Sequence, residues 1–321
     1  MEEKNKKYEF TGETKEIDDN GRKAILKRIR ATRNIERHFV SDEGEKYYVL
    51  AKKGDLGGWI EKESCLPQEG ESWVGDYAIV MGNAKVRDNG IVLHDAVLRD
   101  DAIVKDNGCV MTKSIVMGGA MVTGDAEVSG NALVYGNVLL KDNALVTDNA
   151  VVYGEAMVRG SAIVRDNAVV NDRAVISDCA GVEYNAEISG NAFICGNAMI
   201  TDYARVTGEN TVISGNARIS GHAKVLEAKI TDNCIITDNA FISADTVLDK
   251  SVMIMGNTFI AGKFKATDKV VVKDNARIIG VVDLANNTRI KDNWRFVGVR
   301  REEHKDLKST KKFEVDKGVE R

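Results

Sequence analysis

Histidine is the side chain of this sequence best suited to proton transfer near neutral pH. The chain contains four histidines, His38, His94, His222 and His304. A neutral imidazole within hydrogen-bond reach of a substrate hydroxyl or amine can act as a general base. His94 and His222 lie inside the repetitive part of the sequence, where either ring could face solvent, so they are the candidate catalytic residues. The alternative is that both are polar residues of turns.

Aspartate recurs in two rows whose spacing is eighteen residues or a multiple of it: Asp148, Asp166 and Asp202 in one row, and Asp88, Asp106, Asp142 and Asp178 in the other. If one turn of the fold takes eighteen residues, each row stacks along one corner. Stacked carboxylates could bind a divalent cation through oxygen ligands. However, aspartate followed by asparagine also turns the backbone, and glycine interrupts both rows. We therefore expect turn residues here and no metal site.

A repeat from about Trp73 to Phe296 must position these side chains. Its unit is six residues long, as in Gly82-Asn83-Ala84-Lys85-Val86-Arg87. In each unit an aliphatic residue follows a small residue by two places, and Gly, Asp or Asn lies between one such small–aliphatic pair and the next. A spacing of two puts both side chains on the same face of an extended strand. Gly, Asp and Asn tolerate positive φ and turn the chain. Six residues are therefore one short strand and one corner.

Three such corners close a triangular coil of about eighteen residues. An Ala-x-Val pair every six residues does not match the 3.6-residue period of a helix, and β-branched residues in stacked positions favour a parallel ladder. The sequence therefore predicts an all-β solenoid of about twelve coils. Two irregular steps, seven residues from Ala204 to Thr211 and five from Ala223 to Ala228, should insert and then remove one corner residue.

The pattern resembles the hexapeptide repeat of left-handed β-helix proteins, which implies a single-stranded, left-handed, parallel β-helix. The Gly57-Gly58-Trp59 turn before the coils is similar to that of YdcK-like proteins of bacteria and phages. This resemblance implies a transferase. Acyltransferases of the hexapeptide class use acetyl-coenzyme A and a histidine base between subunits, near an extended loop, which implies that role for His222 or His94. No loop longer than one inserted residue interrupts these coils, which argues against an acyltransferase.

Three segments follow from the limits of the repeat. Residues 1–72 do not repeat and contain strand-like stretches, which predicts a small β-rich capping domain. Residues 73–297 form the β-helix, and residues 298–321 are a charged tail with too few apolar residues for a core. Because stacked repeats need caps, we expect Trp59 and Trp73 to plug the N-terminal end of the solenoid and Trp294 and Phe296 the C-terminal end.

Bulk composition narrows the function classes. With 45 Lys and Arg against 49 Asp and Glu, the net charge is −4, which indicates neither a strong nucleic-acid partner nor a membrane surface. No apolar run follows Met1, so we expect neither a signal peptide nor a membrane span. The five cysteines are scattered and match neither a disulfide framework nor a zinc site, which favours a reducing cytoplasm.

The residue between the two inward slots must point outward, yet over the N-terminal two-thirds of the repeat it is often apolar. Charged residues such as Arg205, Arg218 and Lys224 take this position further on. Such long columns exceed the usual apolar patch of a monomer, so we expect other copies of the chain to cover them in a dimer or trimer. The expected contact residues are Ile79, Val97, Ile115, Leu133, Val151 and Val169 on one face and Ile103, Met121, Leu139, Met157, Val175 and Phe193 on a second.

These observations favour a non-catalytic, rigid scaffold or binding module that self-associates, needs no cofactor and can hold a protein partner. The alternative is an acetyl-coenzyme A-dependent acyltransferase of the hexapeptide class, with His222 or His94 as the base. A further alternative, which the occurrence of relatives in phages suggests, is a protein that binds or sequesters a component of host defence.

Overall fold

The computed structural model describes residues 6–19, 21–41 and 44–301, except for the side chains of residues 38–47, 300 and 301. This part of the chain is made of β-strands, with one short 3-10 turn, η1 (Glu63–Cys65), and no α-helix. The all-β prediction is confirmed. None of its helical segments has the length and apolar character needed to cross a membrane.

The repeat forms a parallel β-solenoid with three faces. Short strands follow one another at six-residue steps, and each pairs in parallel with the strand eighteen residues further on, as Val97 does with Ile115. Within each rung the small and aliphatic side chains point inward, so that Ala150 and Val152 are completely buried. Each such Val or Ile contributes roughly 1.5–3 kcal/mol by burial. We call the faces A, B and C.

Before the solenoid, the strands are β1 (Tyr8–Asp19), β2 (Arg22–Ala31), β3 (Ile35–Ser41) and β4 (Gly44–Ala51). Face A comprises β5 (Leu56–Ile60), β7 (Ile79–Val80), β10 (Val97–Leu98), β13 (Ile115–Val116), β16 (Leu133–Gly136), β19 (Val151–Gly154), β22 (Val169–Val170), β25 (Glu187–Ile188), β28 (Arg205–Thr207), β31 (Lys224–Leu226), β34 (Phe241–Ser243), β37 (Phe259–Ala261), the first half of β40 (Arg277–Leu284) and β42 (Arg295–Arg301).

Face B comprises β8 (Lys85–Val86), β11 (Ile103–Val104), β14 (Met121–Val122), β17 (Leu139–Leu140), β20 (Met157–Val158), β23 (Val175–Ile176), β26 (Phe193–Ile194), β29 (Val212–Ile213), β32 (Ala228–Ile230), β35 (Thr246–Leu248), β38 (Phe264–Ala266) and the second half of β40. Face C comprises β6 (Trp73–Val74), β9 (Ile91–Val92), β12 (Cys109–Val110), β15 (Glu127–Val128), β18 (Leu145–Val146), β21 (Ile163–Val164), β24 (Gly181–Val182), β27 (Met199–Ile200), β30 (Arg218–Ile219), β33 (Ile235–Ile236), β36 (Met253–Ile254), β39 (Val271–Val272) and β41 (Arg289–Ile290).

Face C contains thirteen strands, so the solenoid has about thirteen turns rather than about twelve. On face A the first parallel strand is β5, which lies in the non-repeating segment. Its residues Trp59 and Ile60 pair with Ile79 and Val80 of β7. The ladder of face A therefore begins upstream of the first recognisable repeat.

The two irregular steps behave as their spacing predicts. The parallel pairs Arg205↔Lys224 and Lys224↔Phe241 give one coil of nineteen residues followed by one of seventeen. Both changes fall on the corner between faces A and B. There the Glu227 carboxylate accepts hydrogen bonds from the backbone N–H groups of Glu209 (2.8 Å) and Asn210 (3.2 Å), which stabilises the enlarged turn.

Two hairpins cover the N-terminal turns. β2 pairs antiparallel with both β1 and β5, so the first hairpin extends the sheet of face A. The second hairpin, β3–β4, lies over face C, where the Arg37 guanidinium donates a hydrogen bond to the Asn107 carbonyl. Ile91 and Cys109 point outward on face C and are nevertheless buried, because this hairpin covers them.

Candidate functional site: corner histidines and apolar outer faces

His94 lies at an exposed corner between faces C and A, in the left-handed conformation (φ 61°). Its Nδ1 atom accepts a hydrogen bond from the backbone N–H of Thr112 at 3.3 Å. An accepting Nδ1 carries no proton, so the proton of the neutral ring is on Nε2. The Nδ1 atom of His94 is thus engaged within the corner, while the rest of the ring is exposed.

His222 lies on the same C–A edge, seven turns further along the chain and about 34 Å from His94 at the usual strand spacing. Its ring is exposed and stacks on the ring of Tyr203, with centroids 4.9 Å apart and planes inclined by 12°. The pair interrupts a column of asparagines, in which Asn149 Nδ2 donates to Asn167 Oδ1 at 3.2 Å. The structure therefore does not bring the two candidate bases together.

The other two histidines add nothing to this edge. His38 belongs to β3, but its side chain lies outside the described part of the structure, and His304 lies outside it entirely.

The aspartate rows hold the corners together. Each aspartate has a positive φ, and its carboxylate accepts the backbone N–H of the residue one turn on. Tyr184 donates in this way to Asp166 at 3.0 Å and Gly160 to Asp142 at 3.1 Å. The carboxylates are thus hydrogen-bond acceptors of the turns. Across the described residues, no cluster of three or more His, Cys, Asp or Glu side chains is arranged to hold a metal ion.

The outward columns of faces A and B are apolar over the N-terminal part of the solenoid, and the edge between them carries apolar or aromatic side chains from Met117 to Tyr153. Both columns consist of half-buried side chains that are paired rung by rung along the ladder, as Leu133 with Val151 and Met157 with Val175. We call this the A/B surface. It contains Ile115, Leu133, Val151 and Val169 on face A, Ile103, Met121, Leu139, Met157, Val175 and Phe193 on face B, and Met117, Tyr135 and Tyr153 on the edge between them.

The first two predicted contact residues of face A are covered by the chain itself. Ile79 and Val97 pack against a buried cluster of Leu26, Trp59 and Met81. Leu26 belongs to the β1–β2 hairpin, which bends over the outside of face A. The free part of this column therefore begins at Ile115.

The A–B edge carries an aromatic pair that the sequence analysis overlooked. The rings of Tyr135 and Tyr153 stack in parallel with centroids 4.9 Å apart, and Asn171 Nδ2 donates to the Tyr153 hydroxyl at 2.6 Å. The eighteen-residue spacing of the two tyrosines was the signal for this contact. Because the pair lies between two apolar faces, it joins them into one surface.

Face C lacks such a column. Most of its outward residues are also apolar, but Glu127, Gly181 and Arg218 divide them into short runs. Beyond the middle of the solenoid, charged residues also enter faces A and B. The change is incomplete, however, because Phe241 and Phe259 return to face A and stack 5.0 Å apart.

The four predicted cap residues occupy different kinds of position. Trp59 and Trp73 lie in outward slots, paired with Ile79 and Ile91. Trp73 is nevertheless 1% exposed and belongs to the same buried cluster as Tyr8 and Leu66. Trp59 is 8% exposed beneath the Lys15 ammonium group, which lies 4.5 Å from its ring centroid.

At the N-terminal opening, side chains from the cap cover the first inward residues. Tyr8, Ile29 and Leu66 are buried there in one cluster with Val74, and the Tyr8 hydroxyl donates to the Leu66 carbonyl at 2.8 Å. At the other end, Trp294 and Phe296 are stacked 5.8 Å apart and pack against the core.

A shallow polar cleft lies on the A–B edge below Tyr153. It is lined by Gly154, Glu155, Asp172, Arg173, Gly190, Asn191 and Glu209. Glu155 and Arg173 form an ion pair of 2.8 Å across it. This open, charged lining differs from the enclosed and mostly apolar pocket that is typical of a cofactor site.

All five cysteines are free thiols, and they occupy different kinds of position. Cys234 fills an inward slot, and burial raises the pKa of its thiol to about 11. Cys109 lies outward beneath the β3–β4 hairpin, and burial, together with Glu127, raises its pKa to about 12. Cys179 is exposed at a corner, and Cys195 is half-buried.

Comparison with known proteins agrees with the architecture. Residues 192–208, which span β26 to β28, match the family model described as the YdcK beta solenoid repeat. No curated protein matches the chain. The matched segment and the thirteen turns show that the chain is a parallel β-solenoid similar, over residues 192–208, to the YdcK beta solenoid repeat.

Proposed function

We propose that this YdcK-like β-solenoid is a non-catalytic scaffold whose copies associate through the A/B surface. The single observation that supports the proposal most is the unbroken run of apolar side chains on two neighbouring faces. Surfaces of this kind usually mark sites where another protein binds. A second copy is the simplest partner, since it presents the same surface and a dimer or trimer can be built by rotation.

The shape of the molecule suits a scaffold. Every rung hydrogen-bonds to the next, and the corners are tied by carboxylate acceptors such as Asp166 and by the asparagine column. A rigid surface loses little conformational entropy when it binds, which favours association of preformed faces. The stacked Tyr135 and Tyr153 rings would lie at the centre of the contact, where aromatic residues commonly contribute most of the binding energy.

Mutation of the A/B surface tests the proposal directly. Met157→Lys places a charge in the middle of face B, where its half-buried position leaves it on the surface of the folded monomer. Burying that charge in a contact is costly, so the variant should be monomeric at concentrations where the wild-type protein is a dimer or trimer. The mass in solution is measured by sedimentation velocity and light scattering.

Ile163→Lys is the matched control, because Ile163 is a half-buried outward residue of face C at a neighbouring level. It should leave the association state unchanged. A wild-type protein that is monomeric at all concentrations would contradict the proposal, and so would an equal effect of the two substitutions.

The acyltransferase alternative has one supporting observation, the exposed His222 ring stacked on Tyr203. Acetyl-coenzyme A titrated into the protein by calorimetry decides between the two functions. A scaffold gives no binding heat. Saturable binding, combined with acetyl-transfer activity that is lost in His222→Ala, would instead establish the transferase, and His94→Ala tests the other candidate base.

A further inference from the structure

Among the described residues, the last strand of face A has one edge without a partner strand. β42 pairs with β40 over seven residues, from Arg277↔Arg295 to Asp283↔Arg301. In earlier rungs, the N–H groups of outward residues donate to the next rung, as Met81 does to Leu98 at 3.0 Å. Within the described residues no strand follows β42, so the equivalent N–H of Val297 faces away from the solenoid. Such an edge is a template for another strand.

The corner at Gly298 has the same backbone shape as the corners within the solenoid, but no described residue stacks on it from the next turn. Gly262, Gly280 and Gly298 stack on one another, all with positive φ. A Cβ atom added to Gly262 would lie 2.5 Å from the Gly280 carbonyl oxygen, whereas at Gly298 it would meet only the Phe296 ring, at 3.8 Å. Val297 and Val299 on either side are 76% and 73% exposed. The end of the solenoid therefore presents the geometry that accepts another rung.

The opposite end of the same sheet has an edge of matching direction. β5 runs parallel to β7, β2 runs antiparallel to β5, and β1 runs antiparallel to β2. β1 therefore runs in the same direction as the strands of the solenoid, including β42. In the described part of the chain β2 is the only strand that pairs with β1. A copy placed further along the axis would bring its β1 beside β42 in the parallel arrangement that the rungs already use.

Charge distinguishes the two edges. The sequence of β42 has three arginines and no acidic residue, whereas β1 has five acidic residues and one lysine. Two β42 strands, or two β1 strands, would place like charges beside each other, which is unfavourable. Pairing of β42 with β1 places opposite charges together.

We propose that copies of this chain join head to tail, with β42 of one copy pairing in parallel with β1 of the next. The contact is heterologous, so each added copy again presents a free end, and the product is a linear assembly. This proposal uses the ends of the solenoid and does not rest on association through the A/B surface.

The experiment uses the full chain with Met157→Lys, which removes association through the A/B surface from the measurement. Val297→Pro deletes the outward-facing N–H of β42, and a proline of this kind is tolerated at a sheet edge. Val297→Thr retains the N–H and the β-branched shape, so it is the matched control. Assembly is followed by sedimentation velocity, and the particles are viewed by negative-stain electron microscopy.

The parent protein should form linear particles whose length increases with concentration. Val297→Pro should raise the concentration needed for half-assembly by about tenfold, and Val297→Thr should leave it within about twofold. A parent protein that keeps one mass over a wide range of concentrations overturns the proposal. Equal assembly of the proline and threonine variants overturns it too.

A mixing experiment tests the polarity of the contact. Glu13→Lys with Glu16→Lys reverses charge on β1 and weakens the head, while Val297→Pro weakens the tail. At the half-assembly concentration of the parent protein neither variant alone should assemble appreciably, but an equimolar mixture should give dimers, because one unaltered head and one unaltered tail remain. Assembly of the variant with the weakened head alone would instead indicate a contact between two tails and would overturn the head-to-tail arrangement.

Discussion

The Asp19 carboxylate lies 2.6 Å from the Arg99 guanidinium, and both side chains are largely shielded from solvent. Asp19 is the last residue of β1, whereas Arg99 follows β10 on the A–B edge. The ion pair therefore fixes the tip of the first hairpin to the outside of face A. Hydrogen bonds of this charged, partly buried kind contribute about 1.5–3 kcal/mol.

Removal of this ion pair should release the hairpin tip. In Arg99→Gln we expect faster amide hydrogen exchange in the second half of β1 and the first half of β2, because the tip loses its contact with the solenoid. The exchange of the inner rungs should not change. A hairpin that stays equally protected in Arg99→Gln would show that the packing of Leu26 on Met81 is sufficient by itself.

Two positions of one column should respond in opposite ways. Val97 is covered by the hairpin cluster, so Val97→Lys should lower the free energy of unfolding by about 1–3 kcal/mol without changing the mass in solution. Val151 lies on the free part of the A/B surface, so Val151→Lys should cost less than about 1 kcal/mol and weaken association. Denaturant titration and sedimentation measure the two effects. Loss of association in Val97→Lys would mean that the hairpin moves away in the oligomer.

His94 can be tested as a structural acceptor. Aspartate occupies the equivalent corner position at Asp76 and Asp148, where its carboxylate accepts the N–H one turn on. His94→Asp preserves an acceptor for the Thr112 N–H and should be within about 0.5 kcal/mol of the wild type, while His94→Ala leaves that N–H without it and should cost about 1 kcal/mol. Equal stability of the two variants in denaturant titration would contradict the structural role.

Lys7 should make the stability of the cap depend on pH. Its Nζ is buried and donates to Ser72 Oγ at 2.9 Å. Burial, reinforced by nearby Arg33, lowers its pKa from 10.5 to about 8. Between these values the unfolded chain holds a proton that folded Lys7 has lost, so stability rises with pH in this window. From pH 7.5 to 9.5 we expect a gain of about 1–2 kcal/mol relative to Lys7→Met.

A nearby tyrosine limits the upper end of that window. Burial raises the pKa of Tyr8, so its contribution is present below pH 10 and is lost as the pH rises further. Measurements below pH 9.5 separate the two groups, and the fluorescence of buried Trp73 reports unfolding of the cap. A difference between wild type and Lys7→Met that falls with pH would contradict the assigned cause.

The sequence predicted the solenoid well because each rung is specified locally. The pairing of Val97 with Ile115 follows from the period alone, and the shifts at Arg205 and Lys224 follow from one inserted and one deleted residue. The hairpin over face A could not be predicted, because its contacts join Leu26 to Met81 across non-repeating sequence. For the same reason the sequence predicts Trp59 at the opening of the tube, because only the position of the hairpin shows what covers its ring.

The candidate site was harder to predict than the fold. The spacing of His94 shows that it lies at a corner, but not that its Nδ1 accepts the Thr112 N–H. That contact depends on the left-handed conformation of the corner residue, which aims its side chain at the next rung. The eighteen-residue period does not predict the stacking of Tyr203 on His222 either, because the two residues are nineteen positions apart across the inserted residue.

Thiol labelling can map these placements in one experiment. Cys179 is exposed and should react with an aromatic disulfide reagent at the rate of an ordinary thiol, giving one fast equivalent per chain. Cys195 is half-buried, and burial, reinforced by Asp178, raises its pKa, so it should follow more slowly. Cys109 should react only when the β3–β4 hairpin opens, and Cys234 only when the solenoid itself unfolds. A thiol with a pKa of about 12 has roughly a thousandfold less thiolate than one of pKa 9.

Cys179→Ser should remove the fast phase and leave the others unchanged. Reaction of Cys234 before Cys109 would show that the inner rungs open more readily than the hairpin, which would contradict the order of stability derived from their burial.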